Sequence, residues 1–112
     1  MQYALMIYAE RGYGEALSDA ERVALIAEYE TIEDDPRCVQ AAQLESVENA
    51  TSVRVVGGKM LMTDGPFADT KEVLGGICLI EADNLDEALE MAARVPAARM
   101  GGVVEVRPVV RR

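Results

Sequence analysis

The part of this chain richest in side chains that could do chemistry is the decapeptide at residues 63–72, Thr-Asp-Gly-Pro-Phe-Ala-Asp-Thr-Lys-Glu. Asp64 could serve there as a general base at the mouth of a cleft between a sheet and a hairpin, if burial raises its pKa toward neutrality. Lys71 or Arg54 would then hold an anionic substrate. The ligand-binding residues predicted by this interpretation are Tyr3, Arg54, Gly65, Pro66, Phe67 and Lys71.

The same decapeptide also fits a purely structural turn. Asp64 would accept hydrogen bonds from nearby backbone N–H groups, the Gly-Pro pair after it would favour the turn, and Phe67 would fill the core. Asp69 and Glu72 would cap a short helical turn, and Lys71 and Glu72 would form a solvated ion pair of almost no energetic value. The sequence leaves both interpretations open.

Tyrosines are the other candidates for chemistry. Tyr3, Tyr8 and Tyr13 each carry a phenol that can donate a hydrogen bond to a developing oxyanion. Packing in a core or an interface is the competing role for a tyrosine in a strand.

Several kinds of site are disfavoured by composition. The chain contains no histidine, which removes the usual general base near neutral pH and the commonest transition-metal ligand. No spacing specifies a metal site. Gly101 and Gly102 follow a helix instead of opening one, so they do not form a phosphate loop. We therefore expect neither a metal nor a cofactor.

Charge and hydropathy restrict the partners and the location. Twenty acidic residues against eleven basic ones give a net charge of −9, which disfavours nucleic acids and anionic membranes. No apolar run approaches the roughly 20 residues that cross a bilayer, and the N-terminus lacks the basic segment of a signal peptide, so we expect a cytoplasmic protein. In that reducing compartment Cys38 and Cys78 are interpreted as small buried hydrophobic residues.

The elements that would position these residues follow from periodicity, caps and turns. Ser18 and Glu21 have the spacing of a capping box, and Gly57-Gly58 can supply the positive φ angles of a two-residue hairpin turn. The predicted elements are a strand over 2–8, a helix over 19–34, a weak strand over 38–44, a hairpin over 51–56 and 59–63, a strand over 75–82, a helix ended by Pro96 and capped by Asp83 or Asn84, and a strand over 103–110.

Two apolar stripes should place the helices against the sheet. In the first helix the stripe is Leu25, Ile26, Tyr29 and Ile32. In the second it is Leu85, Ala88, Leu89, Ala92 and Val95. Without the hairpin the element order is βαββαβ, so residues 1–112 are predicted to form a single α+β domain of ferredoxin-like fold, with both helices on one face of an antiparallel sheet.

The strands predict a second copy of the chain. An antiparallel sheet with one wet face should alternate apolar and polar residues, but the run 3–8 and the run 77–80 are apolar at both parities. Two helices cover one face, so the other would expose a large apolar surface. A homodimer covers it by a self-complementary contact. The alternative is a monomer in which a long loop, at 9–17 or 45–52, folds over the sheet.

Nearly the whole sequence resembles the DGPF proteins of the YCII-related superfamily. The resemblance rests on the opening MQYALMIYAE, the GGK hairpin, TDGPFADTKE, the GG before the next strand, LDEALEMAARVPAAR and the closing VEVRP. It implies a dimeric α/β-barrel of ferredoxin-like subunits. Some relatives are similar to muconolactone isomerases and include a dehydrochlorinase with a proposed His and Asp pair. This chain contains no histidine, so that pair cannot be complete here. Others accompany extracytoplasmic-function sigma factors.

Three hypotheses about function follow. The first is a dimeric module that binds a small ligand or a protein partner, with a link to sigma-factor regulation. The second is a cofactor-independent lyase or isomerase that acts on a small acid, aromatic or not, with Asp64 as general base. The third is a purely structural oligomer.

Overall fold

The computed structural model describes residues 1–112 as a four-stranded antiparallel sheet, a separate two-stranded hairpin and three helices. The strands are β1 (Gln2–Glu10), β2 (Cys38–Gln43), β3 (Thr51–Val56), β4 (Lys59–Asp64), β5 (Glu72–Glu81) and β6 (Val103–Pro108), and the helices are α1 (Asp19–Glu33), α2 (Leu85–Arg94) and α3 (Pro96–Arg99). The sheet order is β2-β5-β1-β6, and β3 pairs with β4 alone. The predicted ferredoxin-like α+β fold with an inserted hairpin is confirmed.

Local sequence signals account for where the two longer helices begin. The Ser18 hydroxyl accepts a hydrogen bond from the backbone N–H of Glu21 at 3.1 Å, and the Glu21 carboxylate accepts one from the backbone N–H of Ser18 at 3.0 Å. The bond from the Ser18 backbone N–H favours the ionised carboxylate and lowers the pKa of Glu21. At α2 the Asn84 side chain accepts from the backbone N–H of Glu87 at 2.9 Å.

Glycine geometry fixes the hairpin turn. Gly57 and Gly58 have φ angles of 58° and 77°, the left-handed pair that a two-residue hairpin turn requires. Val56 lies opposite Lys59, and the register continues without a bulge to Thr51 opposite Asp64. The predicted hairpin is confirmed, with its second strand one residue longer.

The core lies between one face of the sheet and the helices. The sheet contributes four side chains that are almost fully buried, Tyr3, Leu5, Cys78 and Ile80. The helical side contributes Ile32, Ala88, Met91, Ala92, Val95 and Ala97. Burial raises the pKa of the Cys78 thiol to about 12, which keeps the thiol protonated at neutral pH.

The helices differ from prediction in their faces and in their number. Leu85 and Leu89 are about half exposed, and Met91 occupies the core in their place, so the predicted stripe of α2 was partly wrong. Ile26 of α1 is also half exposed. Pro96 ends α2 as expected but also begins α3, because a proline lacks only an N–H that a first helical position leaves unbonded. None of the helices is both long and apolar enough to cross a membrane.

The second face of the sheet carries no helix, and its centre is apolar, with Gln40, Glu105 and Arg107 on the same face toward its two edges. We call it the open face; its central residues are Ala4, Met6, Tyr8, Ala42, Ile77 and Leu79. The register places Met6 opposite Ile77 and Ala4 opposite Leu79 on this face. All six side chains are half-buried or exposed. The molecule is 20 Å thick along its shortest axis, so it has only one layer of helices beside the sheet.

An ion-pair network joins the start of β2 to α2. Asp35 accepts hydrogen bonds from Arg37 Nε at 3.0 Å and Nη2 at 2.9 Å, and lies 3.3 Å from Arg94 Nη1. Arg37 Nη1 in turn contacts Glu87 at 3.2 Å. The bonds from Arg37 hold the pKa of Asp35 far below its ordinary value.

We predict that Asp35→Asn lowers the melting temperature at pH 7 by about 5 °C, because a charged hydrogen-bond network in a small domain is worth on the order of 1 kcal/mol. A carboxylate whose pKa is lowered on folding stabilises the protein above its unfolded pKa of about 3.9, and this stabilisation declines as the pH falls below that value. The melting temperatures of variant and wild type should therefore converge in acid. Asp34→Asn, an exposed neighbour, is the control; a pH-independent difference for Asp35→Asn would contradict the assignment.

Candidate functional site

The Asp-Gly-Pro turn (residues 64–66) is held against the base of the hairpin. The backbone N–H of Gly65 donates to the carbonyl of Ala50 at 2.7 Å, and the hydroxyl of Ser52 donates to the carbonyl of Gly65 at 2.9 Å. Gly65 has a φ of 92°, which a side chain would strain. The glycine thus lets the chain turn sharply and leave the hairpin beside β3.

This turn places Phe67 next to β3, where the two form an open concavity. Its volume is about 470 Å³, and its lining residues are Ser52, Val53, Arg54 and Phe67. Phe67 is 83% exposed. The expectation that Phe67 fills the core was wrong, because the hairpin and its turn project away from the layer between sheet and helices.

Arg54 is a cation without an anionic partner in an acidic protein. Ion pairs engage seven of the eleven basic side chains. The four that remain are Arg54, Lys59, Arg111 and Arg112. Two of these, Arg54 and Lys59, lie on the hairpin, and Arg54 alone among the four lines the concavity. Its guanidinium is therefore free to bind an anion from solution.

Arg11, just after β1, holds the segment that follows Phe67 in place through hydrogen bonds. Its Nη1 donates to Asp69 Oδ1 at 2.8 Å, and its Nε and Nη2 both donate to Glu48 Oε1, at 3.2 and 3.0 Å. Its backbone N–H donates to the carbonyl of Lys71 at 3.0 Å. Asp69 therefore fastens the segment to the sheet and does not cap a helical turn, as one interpretation of the sequence expected.

The structure separates the residues that the sequence analysis grouped together. Asp64 is exposed, and its carboxylate accepts no hydrogen bond, so the predicted turn in which backbone N–H groups donate to Asp64 is absent. In the hairpin register Asp64 also points to the face opposite Arg54. Lys71 pairs with Glu10 at 3.2 Å and not with Glu72, and Tyr3 is 3% exposed in the core. Only Arg54 and Phe67 meet at the concavity, with Gly65 and Pro66 shaping the turn between them.

Sequence reasoning missed Arg11, Glu48 and Ser52. Arg11 precedes its partner Asp69 by 58 residues, and no local pattern connects them. Ser52 lies in a strand that is otherwise apolar apart from Thr51 and Arg54, and this polar position was the only local signal of its role.

The comparisons with known proteins agree with the fold. The family model described as the YCII-related domain matches residues 1–112. An uncharacterized protein of Rhizobium meliloti (strain 1021), R00369, is 33% identical over an alignment of 116 residues. The alignment covers 97% of this chain and 92% of that protein.

Among solved structures, a similar one is 5-chloro-2-hydroxyhydroquinone dehydrochlorinase (TftG) from Burkholderia phenoliruptrix AC1100, in complex with 2,5-dihydroxybenzoquinone. The TM-score is 0.57 at 14% identity, over all of this chain and 96% of that chain. This likeness concerns the fold.

We predict that Arg11→Gln frees the segment after Phe67. Loss of the hydrogen bonds to Asp69 and Glu48 should speed amide hydrogen exchange over residues 67–71 by roughly five- to tenfold, since they are worth about 1 kcal/mol together. Exchange in β1 should stay unchanged. Arg22→Gln, which removes an arginine bonded to the carbonyl of Gly14, is the control; equal effects of both variants on residues 67–71 would contradict the role of Arg11.

Proposed function

We propose that this chain, which belongs to the YCII-related domain family, acts as a homodimeric module that binds a small organic anion carrying an aromatic ring. The binding site is the concavity between β3 and Phe67. The one observation that carries this proposal is the unpaired Arg54 beside an exposed Phe67 ring in a protein of net charge −9.

The two side chains supply complementary parts of the recognition. A guanidinium binds a carboxylate through two parallel charged hydrogen bonds, which are stronger than neutral ones. The Phe67 ring offers an apolar face for offset stacking of a second ring. An acidic protein repels anions in general, so an arginine that attracts one has to act at short range.

The homodimer is part of the same proposal, and it rests on the apolar open face. A single layer of helices leaves that face unfilled, and neighbouring strands alone shield its side chains. A protein partner, including one that links the chain to sigma-factor regulation, is what we would seek next if no small molecule binds.

A second candidate function is a cofactor-independent lyase or isomerase acting on a small aromatic acid, with Asp64 as general base. It is favoured by the position of Asp64 in the turn that precedes Phe67, and by the dehydrochlorinase activity named for TftG. We rank it below binding. Asp64 points away from Arg54, and no neighbouring side chain orients its carboxylate toward a bound anion.

We predict that benzoate raises the melting temperature and binds more tightly than cyclohexanecarboxylate, which has no aromatic ring, or benzamide, which has no charge. Arg54→Gln should weaken benzoate binding by roughly ten- to a hundredfold, as for a lost charged hydrogen bond of about 1.5–3 kcal/mol. Phe67→Ala should abolish the preference for benzoate over cyclohexanecarboxylate. Thermal denaturation measures the change in melting temperature, and calorimetric titration measures the affinities.

Lys59→Gln is the matched control, because Lys59 is the other unpaired hairpin cation and lies outside the concavity. Equal losses of affinity in Arg54→Gln and Lys59→Gln would mean that general charge, and not this site, holds the anion. Asp64→Asn separates the two functions: unchanged benzoate binding is expected, and loss of turnover of a halogenated phenolic acid would favour the lyase.

A further inference from the structure

The two cysteines of the chain lie in contact across neighbouring strands. Cys38 is the first residue of β2 and lies opposite Ile80 of β5. Cys78 precedes Ile80 by two residues, so both thiols lie on the face of the sheet that the helices cover. Their Sγ atoms are 3.4 Å apart. The only two thiols of the chain therefore face each other directly.

A disulfide between them requires little movement. The two sulfurs would have to approach by a further 1.4 Å or so, because an S–S bond is about 2.05 Å long. β2 is an edge strand that pairs with β5 alone, and a bulge interrupts this pairing between Cys38 and Gln40. A bulge bends its strand locally. The Cys38 end of β2 can therefore move toward Cys78 without breaking the central pairs of the sheet.

The two thiols differ in their access to solvent. Cys38 is half-buried, whereas Cys78 is 2% exposed. A small oxidant from solution therefore reaches Cys38 first. Burial raises the pKa of Cys78 to about 12, so Cys78 does not start the reaction as a thiolate nucleophile. The pair has the asymmetry of an attacking thiol beside a resolving one.

We infer that Cys38 and Cys78 form a reversible disulfide when the protein meets a peroxide. Cys38 loses its proton and attacks one peroxide oxygen, so the O–O bond breaks and the products are a sulfenic acid at Cys38 and water. The Cys78 sulfur then attacks the Cys38 sulfur, and its proton leaves with the sulfenic hydroxyl as a second water. The two thiols lose two electrons and two protons, and hydrogen peroxide is reduced to water. A dithiol reductant reverses the bond.

The disulfide joins the two ends of the segment that carries the proposed binding site. Residues 38–78 include β3, β4 and Phe67, and β2 and β5 lie at the two ends of this segment. A cross-link that closes a long loop stabilises the fold, chiefly by restricting the unfolded chain. In a reducing compartment the thiols are free, so the added stability appears only after exposure to oxidant.

The test adds one equivalent of hydrogen peroxide to the purified, reduced protein. The intact mass should fall by two hydrogen atoms, and a non-reducing digest should contain the peptide of Cys38 linked to that of Cys78. The oxidised protein should melt roughly 10 °C above the reduced protein, since a cross-link of this span stabilises a small domain strongly. Dithiothreitol should reverse both changes.

Single-cysteine variants separate the two roles. Cys78→Ala should react with peroxide at Cys38 but gain oxygen atoms, because no resolving thiol follows. Cys38→Ala should react at least about tenfold more slowly, since its remaining thiol is buried. Circular dichroism checks that both variants are folded.

Three results would overturn the inference. They are folded wild type that keeps both thiols free under peroxide, wild type that gains oxygen without an internal cross-link, and a cross-link that joins two chains instead. Equal reaction rates of Cys78→Ala and Cys38→Ala would overturn the order of attack. Benzoate binding at Arg54 is measured separately, so these outcomes leave the proposed function standing.

Discussion

The structure depends on apolar surfaces that no other part of the chain covers. Three short helices lie on one face of a four-stranded sheet, and the apolar side chains of its other face and of the hairpin have no layer against them. Apolar surface left in water costs about 25 cal/mol for each Å². No helix or strand of the chain packs on these surfaces, and we propose that a second copy covers the open face.

The hairpin carries both exposed apolar side chains and the proposed binding site. One of its faces holds Val53, Val55, Met60 and Met62 together with Thr51 and Asp64, and the other holds Arg54 beside Phe67. Gly65 makes the sharp turn that brings these two side chains together, and Arg11 holds the segment after it against β1 and the 3-10 turn at residues 47–49. The decapeptide therefore does not fill the core, and Asp64 and Arg54 point to opposite faces of the hairpin. It forms a sharp turn and an anchored segment, and these hold the exposed Phe67 ring in place.

Features encoded over short stretches were predictable from the sequence. Ser18 with Glu21 and Gly57 with Gly58 specify a helix start and a turn through bonds and φ angles within four residues. The run of apolar residues in β1 correctly indicated a strand with apolar side chains on both faces of the sheet. In each case neighbouring residues alone determine the geometry.

What failed depends on contacts between distant segments. Phe67 is as apolar as a core residue, and only the direction of the projecting hairpin makes it exposed. Leu85 and Leu89 follow a helical stripe, but the approach of α2 to the sheet selects Met91. The grouping of Asp64 with Arg54 required the hairpin register, in which odd and even positions point to opposite faces.

Sedimentation equilibrium of the unmodified protein at micromolar concentration tests the central claim most directly. The account predicts a species of twice the 12.1 kDa chain mass that dissociates on dilution. A single species of 12.1 kDa across the concentration range would contradict it, because the apolar centre of the open face would then be exposed to water.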